Sequence, residues 1–346
     1  MVDNIKLFVT KEMKISEFTE YLRKIEKSSK IKIINSNIDN NSVIIRKLIL
    51  YRDDYIHTEN IKNLNHHFLR VDLIYYKNKS NLQVTINNSF RKWYFGKNSM
   101  NDFKKNKFLD CIELISNNLN LHMKDLLKAK ITQIEIGLNI RLQPNFNNGF
   151  NCIAYHKSYK TPTCYNSSTV SFHNSYNKMI FYDKLNELKS RNTLSSRATG
   201  KIGKRYSFVR YELSFNKVSG DKFTKINLNS LKKLINNWDM CLIKLYNELK
   251  KTVFINYLTP KIAEDVINNI TDVNSLNLFI AIKSLNPVKY FSLLRNIKPN
   301  NKTYELLKAK KMYDELNQNK GETYERIFIR AVKKRIEKIS PEIQLL

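Results

Sequence analysis

The run ITQIEIGLNI at residues 131–140 decides how the larger part of this chain must be read. Ile134, Ile136, Leu138 and Ile140 recur with period two, and Glu135, Gly137 and Asn139 take the alternate positions. An extended chain sends successive side chains to opposite faces. One face of this strand is therefore apolar and faces a core. The other carries a carboxylate beside a glycine, which leaves room for a ligand.

Outward from this strand the same alternation returns in FLRVDLIYY (68–76), NLQVTI (81–86), TVSF (169–172), MIFY (179–182) and SFVRYELSF (207–215). These read as short, half-buried strands set between polar loops. FLDCIELISNNLNL (108–121) instead has the apolar spacing of an amphipathic helix. From about Leu228 the pattern turns helical almost to the end. LNSLKKLINNWDMCLIKLYNELKK (228–251) reads as one long amphipathic helix, and shorter ones follow near 261–270, 275–283 and 287–296, punctuated by Pro260, Pro287 and Pro299. Two further helices, near 301–318 and 322–338, carry dense lysine and arginine. Strands first and helices later predict an α+β domain over 1–225, with its core at 68–217, then a small, basic all-α domain over 226–346.

The charge narrows the function. Sixty Lys+Arg against 31 Asp+Glu give a net charge of +29 over 346 residues. A codon bias that enriches lysine should enrich the acids as well, so their deficit needs another cause. Binding a polyanion supplies one, because neutralising phosphates releases counterions. The 19 Tyr and 18 Phe suit stacking on unpaired bases. The plainer alternative is a basic surface with no partner. The loop LKSRNTLSSRATGKIGKR (188–205) is basic, rich in Ser, Thr and Gly, and without an acid, which suits phosphate.

No stretch approaches the roughly 18–20 apolar residues of a membrane span. The N-terminus MVDNIKLFVTKEMKI has charges too closely spaced for a signal peptide. A soluble protein of the host cytoplasm, without a membrane partner, is the expectation. Cys111, Cys152, Cys164 and Cys241 are dispersed and form no CxxC pair, as expected of reduced thiols outside any zinc site.

Period-two decoding of 209–215 puts Val209, Tyr211, Leu213 and Phe215 on the buried side and Arg210, Glu212 and Ser214 opposite. In KMIFYDKLNE (178–187), Tyr182 and Lys184 share a face if the strand stays extended through Lys184. Three strands thus offer Glu135, Glu212 with Arg210, and Tyr182 with Lys184. Paired carboxylates hold a hard divalent cation through oxygen ligands, and such a cation polarises a phosphodiester. A tyrosine hydroxyl is a poor nucleophile until a cation or base helps remove its proton.

The order of these pieces resembles the gene-II type replication initiators of filamentous phages and the related rolling-circle initiators of plasmids. The pieces are INNSFRKWYFGKN (86–98), ITQIEIGLNI (131–140), TVSFHNSYNKMIFYDKLNEL (169–188) and FVRYELSFNK (208–217). The resemblance spans roughly 68–217 and implies a diverged, HUH-like rolling-circle endonuclease domain with an antiparallel sheet. It implies site-specific nicking of an origin by a tyrosine, leaving a 5′-phosphotyrosyl adduct and a free 3′-hydroxyl. On that resemblance Tyr182 is the nucleophile, Lys184 positions the phosphate, Glu135 holds Mg²⁺ or Mn²⁺, and Glu212 either joins it there or anchors Arg210. Arg91, Lys92, Lys97, Arg210, Lys201, Lys204 and Arg205 are expected to contact origin DNA, single- and double-stranded. A host helicase and polymerase are the implied partners.

The chain departs from many rolling-circle enzymes in having no His-x-His strand. His156 or His173 could complete a metal shell, whereas adjacent His66 and His67 read as structural. Tyr176 lies roughly 20 Å from Tyr182 along an extended strand, too far to share a phosphate, so one catalytic tyrosine is expected. Two alternatives stay open. HFLR (67–70) carries the H-x-x-R of a tyrosine recombinase, though in a run that reads as a strand. An origin-binding regulator without catalysis would show the same charge.

Overall fold

A computed structural model of the chain describes residues 1–52, 68–96, 100–142, 152–159, 161–165, 168–190, 201–203, 205–216, 228–254, 272–285 and 324–345, with a few single positions elsewhere. It has a mixed α+β architecture, an open antiparallel sheet followed by helices. The strands are β1 (Val2–Glu12), β2 (Ile31–Asp39), β3 (Val43–Tyr51), β4 (Phe68–Tyr76), β5 (Asn81–Ser89), β6 (Lys130–Leu142), β7 (Ile153–His156), β8 (Thr161–Tyr165), β9 (Thr169–His173), β10 (Asn177–Asp183), β11 (Ser207–Phe215) and β12 (Thr252–Phe254). The main sheet runs β2-β3-β4-β5-β1-β6-β11-β10-β9-β8, and β7 pairs with β12 in a separate ribbon.

The helices are α1 (Ile15–Glu26), α2 (Phe90–Phe95), α3 (Lys105–Asn118), α4 (Met123–Lys128), α5 (Lys184–Ser190), α6 (Leu231–Asn236), α7 (Trp238–Leu249), α8 (Val273–Leu285) and α9 (Tyr324–Ile339). The chain divides into two compact units. One comprises Met1–Gly137 with Ser214–Leu242, the other Leu138–Leu213 with Ile243–Leu346. The expected boundary at 225/226 lies outside the described residues, as do His66 and His67.

In the first unit β1 lies between β5 and β6, antiparallel to both, so the beginning of the chain is an interior strand. Ile5, Leu7 and Val9 are buried along it. Phe18, Tyr21 and Ile25 of α1 lie on one helix face and are buried, with Phe18 stacked 4.5 Å from Tyr75. The Glu17 carboxylate accepts the Lys14 backbone N–H at 2.8 Å, satisfying a donor at the start of α1. Trp93 is fully buried and its indole N–H donates to the Leu50 carbonyl at 3.1 Å. Phe103 and Phe108 continue this aromatic core to Trp238.

The run 228–251 departs from the single helix expected of it. Ser230 caps α6 by accepting the Lys233 N–H at 3.4 Å, and Asn237, at φ −105° and ψ 33°, ends it. A new helix, α7, starts at Trp238, which is buried against Phe108. The short strand β12 is likewise a departure within a region that reads as helical. Its pairing with β7 places Thr252 opposite His156 and satisfies backbone groups just past the end of α7.

In the second unit β9 and β10 form a hairpin. The Asn174 side chain accepts the N–H groups of Tyr176 and Asn177 at 2.9 and 2.8 Å, which sets the turn and leaves Tyr176 exposed on it. Phe181 on β10 stacks 4.7 Å from Tyr211 on β11, with the rings 6° from parallel. Phe328 of α9 meets Phe181 edge-on at 5.6 Å, and Val332, Ile336 and Ile339 bury the rest of that helix face. The Tyr211 hydroxyl donates to the Leu245 carbonyl at 2.9 Å. These side chains cover one face of β10 and β11, so the other face is where Tyr182 and Glu212 point.

Cys111, Cys152 and Cys241 are buried. Burial pushes the Cys111 and Cys241 thiols above their ordinary range, which disfavours the thiolate. Among the described residues no helix is long and apolar enough to cross a membrane.

Candidate active site

Strand β6 follows its period-two reading. Ile134, Ile136, Leu138 and Ile140 are buried on the core face, and Glu135 is half-buried on the other. Gly137 donates its N–H to the Met1 carbonyl at 2.8 Å, which ties the first residue of the chain to this strand. The Ser214 hydroxyl of β11 donates to Glu135 Oε2 at 3.2 Å. Glu212 lies two residues before Ser214, so strand geometry brings it to the same face. Three carboxylates gather there: one oxygen each from Asp3, Glu135 and Glu212, all within 4.8 Å of one another.

Asp3 carries no signal in the period-two reading, which groups it with Ile5, Leu7 and Val9. The register between β1 and β6 shifts between Val2 and Ile5, and Asp3 lies in that shift. A local irregularity redirects its side chain from the core face to the acids. What the sequence does offer is an acid at the head of an apolar strand, and that strand lies upstream of the four matched pieces.

Each acid has basic or hydroxyl partners. Asp3 Oδ2 accepts from Arg91 Nη2 at 2.6 Å and Nε at 3.0 Å, and the Ser89 hydroxyl bonds Oδ1. Glu212 Oε1 accepts from Arg210 Nε at 2.7 Å. The same oxygen accepts from the Tyr182 hydroxyl at 3.2 Å. Arg91 and Arg210 are fully buried, and Asp3 and Glu212 nearly so. Two guanidiniums thus face three carboxylates in a partly dehydrated setting, where unbalanced like charge is costly.

This donor set fits a hard divalent cation such as Mg²⁺ or Mn²⁺, which prefers carboxylate oxygens. It holds neither histidine nor cysteine. His156 is buried elsewhere: its Nδ1 accepts the Ser158 N–H at 3.1 Å and its Nε2 donates to the Glu248 carbonyl at 2.9 Å. His173 is exposed at the end of β9.

Tyr182 is half-buried at the end of β10. The strand does not stay extended through Lys184, which corrects the shared face expected for the two residues. The Asp183 carboxylate accepts the N–H groups of Leu185 at 2.8 Å and Asn186 at 3.1 Å, so it caps α5 and ends the strand. Burial raises the Asp183 pKa, and these two N–H bonds oppose the rise. Lys184 is fully buried, ion-paired with Glu187, and its ammonium lies 5.8 Å from the Tyr182 ring centre.

Of the residues expected on DNA, Arg91 and Arg210 have no exposed surface and instead hold Asp3 and Glu212. Their guanidiniums position acids, which corrects the expectation that they meet the DNA backbone. Lys92 is half-buried, whereas Lys201 and Arg205 are exposed. Lys97 and Lys204 lie outside the described residues. Arg70 sits on β4, its guanidinium 5.9 Å from the Phe68 ring centre. No protein-family model matches the chain, and no curated protein sequence matches it.

Proposed function

We propose that this protein is a replication initiator of a phage or plasmid that nicks its origin with Tyr182, using Mg²⁺ or Mn²⁺, for rolling-circle replication. The observation that carries the reading is the Tyr182 hydroxyl 3.2 Å from Glu212, itself one of three clustered carboxylates. The net charge of +29 supports a polyanionic substrate, and the four matched pieces support a diverged rolling-circle endonuclease domain.

Asp3, Glu135 and Glu212 would hold the cation, which when bound stabilises charge developing on the phosphate. Arg91 and Arg210 orient two of these acids through their hydrogen bonds. Glu212 accepts the Tyr182 hydroxyl hydrogen bond and so aims the oxygen. The phenol oxygen gives up its proton to water as it forms a bond to phosphorus, the bond from phosphorus to the 3′ oxygen breaks, and that oxygen takes a proton from water and leaves as a hydroxyl. The 5′-phosphate stays on Tyr182, and the free 3′-hydroxyl is what a host polymerase extends after a helicase opens the duplex.

The test is incubation with supercoiled replicon DNA and Mg²⁺ or Mn²⁺, followed by mapping of any nick and of protein on its 5′ end. A metal-dependent adduct at Tyr182 is the expected result. DNA binding with no adduct under either cation would instead identify an origin-binding regulator, and cleavage that survives EDTA would point to recombinase-type chemistry.

A further inference from the structure

The face of β11 that carries Glu212 continues through Arg210 to Phe208, by the period-two rule. The face of β6 that carries Asn139 continues to Arg141. Period two sets Leu138, Ile140, Val209, Tyr211 and Leu213 on the opposite face, where all five are buried. Arg141 is exposed, and its guanidinium carbon lies 3.1 Å from the centre of the Tyr206 ring. Phe208 meets Tyr206 edge-on, with centroids 6.4 Å apart and planes at 82°. A short turn holds Tyr206 in place, with the N–H groups of Arg205 and Tyr206 donating to the Ile202 carbonyl at 3.0 and 2.9 Å. Lys201 and Arg205 are exposed on that turn. Among the described residues no ion pair joins Arg141, Lys201 or Arg205 to a carboxylate.

An exposed guanidinium set against an aromatic ring, with Lys201 and Arg205 exposed on the turn that leads to that ring, offers solvent a planar, positively charged group. A nucleobase stacks on such a guanidinium plane, and the neighbouring cations attract its phosphates. Base stacking needs an unpaired nucleotide, because in a duplex both base faces are occupied. Phe208 is four residues from Glu212, roughly 13 Å along the strand. The platform and the Tyr182 hydroxyl are thus a few nucleotides apart on one sheet face.

We infer that the Tyr206–Arg141 stack is a binding subsite for an unpaired base of single-stranded DNA, a few nucleotides from the phosphate held at Tyr182. The inference rests on the nicking function proposed above and assigns Arg141 and Tyr206 to its grip on the unpaired strand. Phosphate contacts from Lys201 and Arg205 hold the strand in register and carry no base preference of their own.

The test compares binding of a fluorescein-labelled, mixed-sequence single strand with its duplex, using the full chain. Arg141→Lys keeps the charge and removes the plane, and Tyr206→Leu removes the ring beneath it. Each should weaken single-strand binding about tenfold, within the range of one missing base stack, and leave duplex binding unchanged. Tyr206→Phe should bind as the wild type does. Arg141 is exposed, so Arg141→Lys remains decisive even where Tyr206→Leu fails to fold. Single-strand binding by Arg141→Lys as tight as wild type, or an equal loss on duplex, would overturn the subsite. The same proteins assayed for the covalent adduct separate the two ideas. Adduct without stacking-dependent binding removes the subsite alone, and stacking-dependent binding without any adduct removes the nicking function alone.

Discussion

The Tyr182 hydroxyl donates to Glu212 Oε1, the same oxygen that accepts from Arg210 Nε at 2.7 Å. One carboxylate oxygen therefore joins the proposed nucleophile, a buried cation and the acid cluster. Its partners come from β10 and β11, and α9 braces the opposite face of both strands through Phe328.

Tyr182→Phe removes one oxygen and with it the half-buried hydrogen bond to Glu212. Such a loss costs about 1 kcal/mol or less of stability. Urea unfolding should barely change, while gel analysis under denaturing conditions should show no protein-linked DNA. An adduct retained in this variant would move the nucleophile elsewhere.

Asp3→Asn tests a residue that serves both fold and site. It removes the carboxylate charge beside the buried Arg91 guanidinium, which should cost about 3 kcal/mol by the measure of weakened buried pairs. Wild-type protein should melt at a higher temperature with millimolar Mn²⁺ than with EDTA, because a cation bound only by the folded state stabilises it. In Asp3→Asn and in Glu135→Gln that increment should shrink. A full increment in both variants would place any cation away from these acids.

His156 gives the stability a pH dependence. Burial lowers its pKa from 6.5 to about 4, against an opposing pull from the Glu248 carbonyl and carboxylate, while Lys251 and Lys244 reinforce the drop. Glu248 feels burial too, but hydrogen bonds from Lys244 and Lys251 hold it below the ordinary carboxylate range. The unfolded chain takes up a proton on this imidazole near pH 6.5, whereas the folded chain resists until about 4. Stability is thus full above pH 6.5 and falls as pH drops toward 4, by roughly 3 kcal/mol at most. Urea unfolding between pH 4.5 and 7 should show this slope in wild type, and His156→Gln should flatten it.

Phe328→Ala opens a hole beneath Phe181, Tyr211 and Phe254. The expected loss is about 3–5 kcal/mol. Phe328→Leu refills much of the volume and should recover most of it. A readout beyond stability is the adduct rate: if α9 braces the Tyr182 strand, Phe328→Leu should nick more slowly at a temperature where it is fully folded.

The exposed face of α9 carries Arg326, Arg330, Lys334 and Lys338, spaced four apart, whereas the Lys333 ammonium donates to the Leu345 carbonyl at 2.7 Å. Of the other cations in this region, Lys308 and Lys310 lie outside the described residues. If this stripe holds phosphates, neutralising Arg326, Arg330 and Lys334 should weaken origin and scrambled duplex alike. The slope of log affinity against log salt should fall by about 0.9 for each phosphate no longer neutralised. A weakening confined to the origin duplex would mean the helix reads bases.

The alternation in 131–140 and 207–215 was enough to name Glu135, Glu212 and Arg210 as residues of one sheet face, because strand periodicity is local and needs only a few residues. The four matched pieces pointed to Tyr182 in the same way. Local pattern also placed α3, α8 and α9 to within a few residues. What it missed depended on distant parts of the chain. Asp3 joins the acids only because β1 is threaded between β5 and β6 and because a register shift turns its side chain. Arg91 reads as a DNA contact but is buried against Asp3, whose position the tertiary fold sets, whereas the Arg210–Glu212 pairing is one the sequence reading allows. The end of β10 is the exception, a local one: Asp183 captures the N–H groups of Leu185 and Asn186, so Lys184 begins a helix. The order of residues determines the faces of each strand and helix; which faces meet is decided by packing between segments far apart in sequence, where burial and charge neutralisation outweigh local pattern.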